Sequence, residues 1–523
     1  MRHGRLALAL ALCAAVAGCG VNPVTGEKEI QFVSEAQELA IGREQYAPMR
    51  QAEGGDFKVL PELTAYVNGV GQKLAAVSDR PLPYEFVVLD NSVPNAWALP
   101  GGKIAVNRGL LAELTSEAEL AAVLGHEIVH AAARHGAKAQ ERGTLLQMGM
   151  LGAQIGMVAS DTNGALAGMA LQGAALGAQM VQMKYGRDQE LEADHYGMVY
   201  MQRAGYDLNA AVSLQQTFVR LSQAQGRNQG WLEGMFASHP PSEERVAKNK
   251  ATMQQLGGAP GDVGADRFAA KMANLHKMQP AYDKYDQALA AANKKDFAGA
   301  KKLAGEAVKM LPREARFTQL LGDLAMAQKQ PAESIVFYQQ AIALDANYYG
   351  PYLGGGIAQF KLGNKAKAEE WLKRSAELLP TAPAAYYLGN LAKDRGDLAG
   401  ARQMFQAAAG SQSEYGQLAA GEFQRMDLAQ NPAQYVATGV RQDNNGAVYY
   451  MLQNRAQIAV TGIAITPVVV DGLGQVVQQG ATRTLRGTLK PGETLSVESG
   501  LAPMTADQAR SLSVRISAAQ PAP

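Results

Sequence analysis

The chain has 523 residues, of which 47% are hydrophobic and 19% charged, with a formal net charge of +1. At roughly 150 residues per domain this length implies several domains with sizeable cores, and a near-neutral balance gives no hint of a nucleic-acid partner. Seven histidines and two cysteines are few enough that each histidine is informative.

In chain order, residues 1–18 come first. Arg2 and Arg5 precede an apolar run that ends in Val16-Ala17-Gly18 before Cys19. This is a secretory signal, too short to span a bilayer as a permanent helix. The small residues before Cys19 resemble a bacterial lipobox, which implies cleavage there, lipidation of Cys19 and contact with the membrane through that anchor. Cys13 would leave with the signal, so the mature chain would keep one thiol and no disulfide despite export. Gly20 after the cysteine resembles lipoproteins sent on to the outer membrane of a Gram-negative host. The expected location is therefore periplasmic, lipid-anchored to the outer membrane. Residues 34–50 follow Ser34, a helix N-cap, and 61–77 begin at Pro61; both carry apolar positions at helical spacing. The segment YEFVVLD (84–90) has strand character, and Ile104-Ala105-Val106 forms a second strand after a Gly-Gly turn.

Residues 120–136, LAAVLGHEIVHAAARHG, read as an apolar helix that carries H-E-x-x-H. On a helix, residues at i and i+4 lie about 40° apart, so His126 and His130 can present two imidazoles to one metal ion. Glu127 projects beside them, where a carboxylate can take a proton from water. Zinc needs a third protein ligand, with one position left for water and substrate. His135 does not suit the role, because on a continuing helix it points about 140° from His130. RDQELEADHYG (187–197) offers Glu190 and Asp194 at i, i+4. One can bind the metal while the other holds the free ring nitrogen of a ligand histidine.

Five stretches together resemble the HtpX/BepA-like zinc metallopeptidases, the family that includes the CAAX prenyl endoprotease: NPVTGEKEI (22–30), NAWALPGGKIAVNRGLL (95–111), HEIVHAAARH (126–135), ELEAD (190–194) and SHPPSEER (238–245). They cover about the first half of the chain. The resemblance implies one Zn²⁺ per chain, held by His126, His130 and Glu190, with Glu127 as the base and Asp194 behind a ligand histidine. It makes Asn95, Ala96, Trp97 and Ala98 part of an edge strand that pairs with the substrate backbone. It also matches His239 to a histidine that approaches the zinc from a mobile loop and restrains activity. His239 and Arg245 are the candidates for stabilising the tetrahedral oxyanion.

Residues 144–183 are rich in Gly, Ala and Met, but Gln147, Gln154, Gln172, Gln179 and Gln182 break the apolar runs, with Asp161 and Asn163 at the turn. This predicts a close-packed helical hairpin beside the active site rather than a membrane hairpin, its methionines an adaptable surface for unfolded clients. Residues 256–280 read as a linker. A 34-residue period follows: Ala300, Ser334 and Ala368 are equivalent, as are Ala307, Ala341 and Ser375, with a fourth unit one residue shorter at Gly389 and Ala401. That is the spacing of tetratricopeptide helix pairs, whose groove binds peptides or proteins. From 431 onward, short alternating runs separated by turn residues predict a small antiparallel β-sandwich.

The expected architecture is multidomain. A mainly α, zincin-like metallopeptidase with a small β-sheet (19–255) is followed by the linker (256–280), an α-solenoid of tetratricopeptide repeats (281–430) and the β-sandwich (431–523). The expected function is a zinc endopeptidase of the cell envelope that cleaves misfolded or misassembled envelope proteins delivered by the repeats. The alternative is a chaperone-like scaffold lipoprotein, docked on envelope assembly machinery, that assists outer-membrane protein assembly while its peptidase site stays latent.

Overall fold

A computed structural model describes residues 19–139, 141, 185–223, 234–471 and 475–522. The expected signal at 1–18, the side chain of Cys19 and the expected hairpin at 144–183 lie outside the described residues. Among those described, no helix is long and apolar enough to cross a membrane. The chain forms two compact units, divided between Leu379 and Pro380.

The first unit opens with a hairpin of β1 (Cys19–Val21) and β2 (Lys28–Ile30). Helices α1 (Glu35–Ala52) and α2 (Pro61–Ala75) follow where their start signals predict them. Ser34 and Gln37 form a capping box on α1, and Pro61 opens α2. Strands β3 (Glu85–Leu89), β4 (Ala96–Leu99) and β5 (Lys103–Asn107) make a three-stranded sheet in the order β3-β5-β4, so β4 lies at an edge. β4 and β5 are antiparallel, joined through Gly101 and Gly102 at φ +78° and +82°, values that suit glycine. A short helix α3 (Arg108–Glu113) leads to α4 (Glu117–Ala132), which Ser116 caps by accepting the Glu119 N–H. Such a cap contributes about 1 kcal/mol.

α4 is buried almost throughout and packs against α5 (Arg187–Arg203). Two glycines face each other at this crossing: a Cβ on Gly125 would lie 3.1 Å from the Gly197 carbonyl oxygen, and one on Gly197 would lie 3.0 Å from the His126 nitrogen. The backbones can therefore approach closely, which sets Glu190 and Asp194 opposite the histidines. Helices α6 (Asn209–Gln223), α7 (Met235–Ser238) and α8 (Glu243–Leu256) follow; α8 packs on α5 and α6, and α6 on α4.

The expected linker is largely helix. α9 (Ala265–Asn293) buries Phe268, Met272 and Leu275 against the peptidase core, so only residues 257–264 connect it to α8. The Gly- and Pro-rich stretch that suggested a linker ends where this apolar stripe begins. α10 (Phe297–Met310), α11 (Ala315–Ala327), α12 (Pro331–Leu344), α13 (Tyr349–Lys361) and α14 (Lys365–Leu378) complete three helix pairs. The predicted small residues Ala300, Ser334 and Ala368 are fully buried, as are Ala307, Ala341 and Ser375, and α10 packs on α9, α12 on α11 and α14 on α13. The second helices start 34 residues apart, at 297, 331 and 365.

These repeats hold the peptidase itself. Arg316 of α11 bonds the Asp90 carbonyl, Gln51 bonds the backbone of Asn347 and Tyr349, and Lys58 pairs with Asp345 at 2.6 Å. Arg108, 1% exposed, lies over the Tyr282 ring at 3.4 Å and bonds Asp90 at 3.1 Å and Ser92 at 2.6 Å. One hydrophobic cluster runs from Val67 and Ile128 to Phe317 and Leu324.

The second unit begins with a fourth helix pair, α15 (Ala382–Asp394) and α16 (Leu398–Ala409), the latter starting 33 residues after α14, followed by α17 (Glu414–Asp427). After α18 (Pro432–Tyr435) come β6 (Val436–Gln442), β7 (Val448–Asn454), β8 (Val460–Val470), β9 (Val476–Gln479), β10 (Arg483–Leu489), β11 (Thr494–Glu498), α19 (Ala506–Arg510) and β12 (Leu512–Pro521). They build two antiparallel sheets, β11-β7-β6 and β10-β8-β12 with β9 on β8, which share one core around Tyr450, Leu452, Ile463 and Ile465. This agrees with the strand runs and turns read from the sequence.

Candidate metal centre and peptidase site

His126, His130, Glu190 and His239 form a buried cluster whose donor atoms all lie within 4.8 Å of one another. α4 supplies the two histidines one turn apart and α5 supplies Glu190. His239 comes from the turn between α7 and α8, where Ser242 caps α8 by accepting the Arg245 N–H. The His-Pro-Pro segment is thus both a capping turn and a means of bringing an imidazole into the site.

The separations suit one small cation. His126 Nε2 lies 3.0 Å from His130 Nε2 and 3.2 Å from His239 Nδ1, and Glu190 Oε1 lies 3.0 Å from His239 Nδ1 and 3.5 Å from His130 Nε2. Tetrahedral zinc with donors at about 2.0–2.1 Å sets them about 3.3 Å apart. The tautomers agree. His126 Nδ1–H donates to Asp194 Oδ1 at 2.9 Å, which leaves its Nε2 lone pair facing the cluster.

His135 has a different place from the one its spacing implied. α4 ends at Ala132, and Arg134 adopts a left-handed φ of +62°, so the chain turns back and His135 Nδ1 reaches His130 Nδ1 at 2.8 Å. It is not a donor of the cluster; it fixes the ring of one that is. A continuing helix was the wrong premise, since α4 ends three residues before His135.

Glu127 is fully buried, and among the described residues neither of its carboxylate oxygens has a hydrogen-bond partner. Burial pushes its pKa up, opposed by the facing His239 and His126, and His239 Nε2 stands 3.4 Å from Oε1. A carboxylate without a hydrogen-bond partner beside such a donor cluster is what a general base requires. Burial would also raise Glu190, but His239, His126 and His130 outweigh it and hold the carboxyl well below its usual range. Asp194 is likewise kept ionised against burial, chiefly by Arg245. Burial would lower His126, yet Asp194 and Glu190 carry it up to about 10, whereas burial drives the neighbouring His130 well below its ordinary value.

Asn95 to Ala98 lie at the start of β4, at the sheet edge beside α4. Trp97 is 9% exposed and Ala98 is 5% exposed. The Ala98 carbonyl accepts the Tyr185 hydroxyl at 3.4 Å, and the Tyr185 ring stacks on His130 with centroids 3.8 Å apart. Tyr185 was not singled out from the sequence; its nearness to ELEAD was the available signal. Arg245 was named there only as an oxyanion candidate. It is instead occupied by Asp194 and Glu190, at 2.7 and 2.9 Å.

Residues 61–253 match the model of peptidase family M48. The chain carries an M48 metallopeptidase domain. All four cluster residues and Glu127 fall within the matched span. Among similar proteins, the "Beta-barrel assembly-enhancing protease" of Yersinia pestis is 28% identical over 364 residues, covering 61% of this chain and 73% of its own length. The "Mitochondrial metalloendopeptidase OMA1" of Schizosaccharomyces pombe is 32% identical over 232 residues, covering 43% of this chain and 64% of its own. Among solved structures, the "Crystal structure of MamA protein" matches 28% of this chain and 80% of its own at 22% identity, with a TM-score of 0.26. The repeat organisation described above stands on the helices' own period and packing.

Proposed function

We propose that the chain is a zinc endopeptidase of the bacterial envelope, with one zinc per chain held by His126, His130 and Glu190. The observation that carries this reading is the donor cluster beside a buried Glu127 whose two oxygens have no hydrogen-bond partner among the described residues. Zinc there would act as a Lewis acid that lowers the pKa of water and polarises the scissile carbonyl. Glu127 takes the proton of the attacking water and returns it to the leaving amine. Asp194 orients His126 through Nδ1, and His135 does the same for His130. An extended substrate pairs its backbone along Asn95 to Ala98, which requires Tyr185 to release the Ala98 carbonyl.

His239 occupies the position that water and substrate need, so this arrangement is a resting one, opened when the turn carrying His239 withdraws. That observation also favours the second reading, a scaffold lipoprotein with a latent site. The name of the Yersinia pestis relative speaks for clients in β-barrel assembly, and the helix repeats for client binding. The signal and Cys19 speak for a lipid-anchored periplasmic protein.

The test is zinc content and casein cleavage of the mature protein beginning at Cys19, compared with Glu127→Gln and His239→Ala. Glu127→Gln should keep one zinc and lose cleavage, and His239→Ala should keep zinc and cleave faster than wild type. A Glu127→Gln protein that cuts at the wild-type rate would refute the assignment of the base. Zinc without cleavage in both wild type and His239→Ala would leave the scaffold reading.

A further inference from the structure

Arg245 is 5% exposed and holds three groups at once. Its Nε and Nη2 bond the two oxygens of Asp194 at 2.7 Å each. Its Nη1 lies 2.9 Å from Glu190 Oε2 and donates to the Pro240 carbonyl at 3.2 Å. Such a fork on two carboxylates is strongly directional. Three buried carboxylates, Glu127, Glu190 and Asp194, meet here, and a guanidinium plus a divalent ion would neutralise them.

The two oxygens of Glu190 are thereby unlike. Both lie near His239 Nδ1, Oε1 at 3.0 Å and Oε2 at 3.3 Å, and each is 3.5 Å from a histidine Nε2, of His130 and His126 respectively, but only Oε2 carries the guanidinium. A carboxylate with one oxygen neutralised by arginine is a poor two-oxygen ligand. We propose that Arg245 is a positioning residue that restricts Glu190 to one-oxygen ligation, which keeps a coordination position available to His239 at rest and to water in turnover. The Pro240 bond ties the turn that carries His239 to the same guanidinium, so the ligand and its competitor share one support. This rests on the zinc reading above.

The experiment is a titration of Co²⁺ into the metal-free full chain, for wild type, Arg245→Gln and Arg245→Lys, with circular dichroism to verify folding. Four-coordinate Co²⁺ absorbs visible light more strongly than five-coordinate Co²⁺. Wild type should bind one Co²⁺ with strong absorption. Arg245→Gln should bind about 10- to 100-fold more weakly, with absorption per bound ion reduced by about half or more as Glu190 uses both oxygens. In Arg245→Lys the charge returns without the fork, so affinity recovers in part while the weak absorption persists. Should Arg245→Gln fail to fold, Arg245→Lys alone gives the reading. Folded variants with wild-type absorption and affinity within about twofold overturn the proposal. Failure of both variants to fold also overturns it, since the role would then be one of folding. A wild-type chain that takes up no Co²⁺ refutes the metal reading itself, a different result from either.

Discussion

Replacing Gly197 with Ala should damage the site more than the fold. The added methyl would lie 3.0 Å from the His126 nitrogen, 3.2 Å from the Gly125 carbonyl carbon and 3.3 Å from the His126 Cα. These are backbone atoms, so α4 and α5 must part by a few tenths of an ångström. Alanine regains about 1 kcal/mol of helix propensity, and overpacking costs about 1–3 kcal/mol. The net loss of about 0–2 kcal/mol leaves the chain folded. Metal donors, however, tolerate only about ±0.2 Å, and Glu190 and Asp194 move with α5. Metal affinity and cleavage should therefore fall about 10- to 100-fold. The assay is chemical unfolding of the metal-free protein beside zinc affinity by chelator competition and casein cleavage. Gly69→Ala is the control, because a Cβ there meets nothing within 4 Å among the described residues. A folded Gly197→Ala protein with zinc affinity and cleavage within about twofold of wild type would show that this contact does not set the donor geometry.

Two further outcomes follow from the junction of peptidase and repeats. Arg108→Ala leaves Asp90 buried without its guanidinium and removes the contact with Tyr282, so unfolding by denaturant should show a loss of about 3–5 kcal/mol. Glu314 is 4% exposed; burial, then the charge of Asp90, pushes its pKa up to about 8, against the pull of the Arg316 N–H and the Tyr282 hydroxyl. The folded state thus keeps a proton that the unfolded chain releases near pH 4.3. This group's contribution is most favourable below that pH, declines as pH rises towards about 8 and is flat above. Glu314→Gln should remove that decline, so its melting temperature should gain on wild type between about pH 5 and about pH 8. Parallel curves would refute the assignment.

The shared face of His126 and His130 on α4 was legible because a helical period of 3.6 residues fixes which side chains lie together, and H-E-x-x-H states that fact locally. The repeats were legible for a similar reason, since Ala300, Ser334 and Ala368 mark contacts within neighbouring helix pairs. What stayed hidden depends on tertiary placement. His135 meets His130 only because Arg134 reverses the chain in a left-handed conformation. Arg245 is 55 residues from Glu190 in the chain, and neither its two carboxylates nor the Pro240 carbonyl is marked by spacing. The linker reading failed because glycines at 257, 258, 261 and 264 dominate a short stretch, while the helix beyond them binds through three well-spaced apolar residues.

The embrace of the peptidase by its own repeats bears on how the molecule could be divided. Cutting between α8 and α9 would bare the guanidinium of Arg108 on one side and Phe268 and Tyr282 on the other, where Arg316 would also lose Asp90. The catalytic half and the first three helix pairs share one apolar interior, so they should melt together in a single transition. A deletion of the repeats would then read as loss of enzyme, whatever the repeats bind.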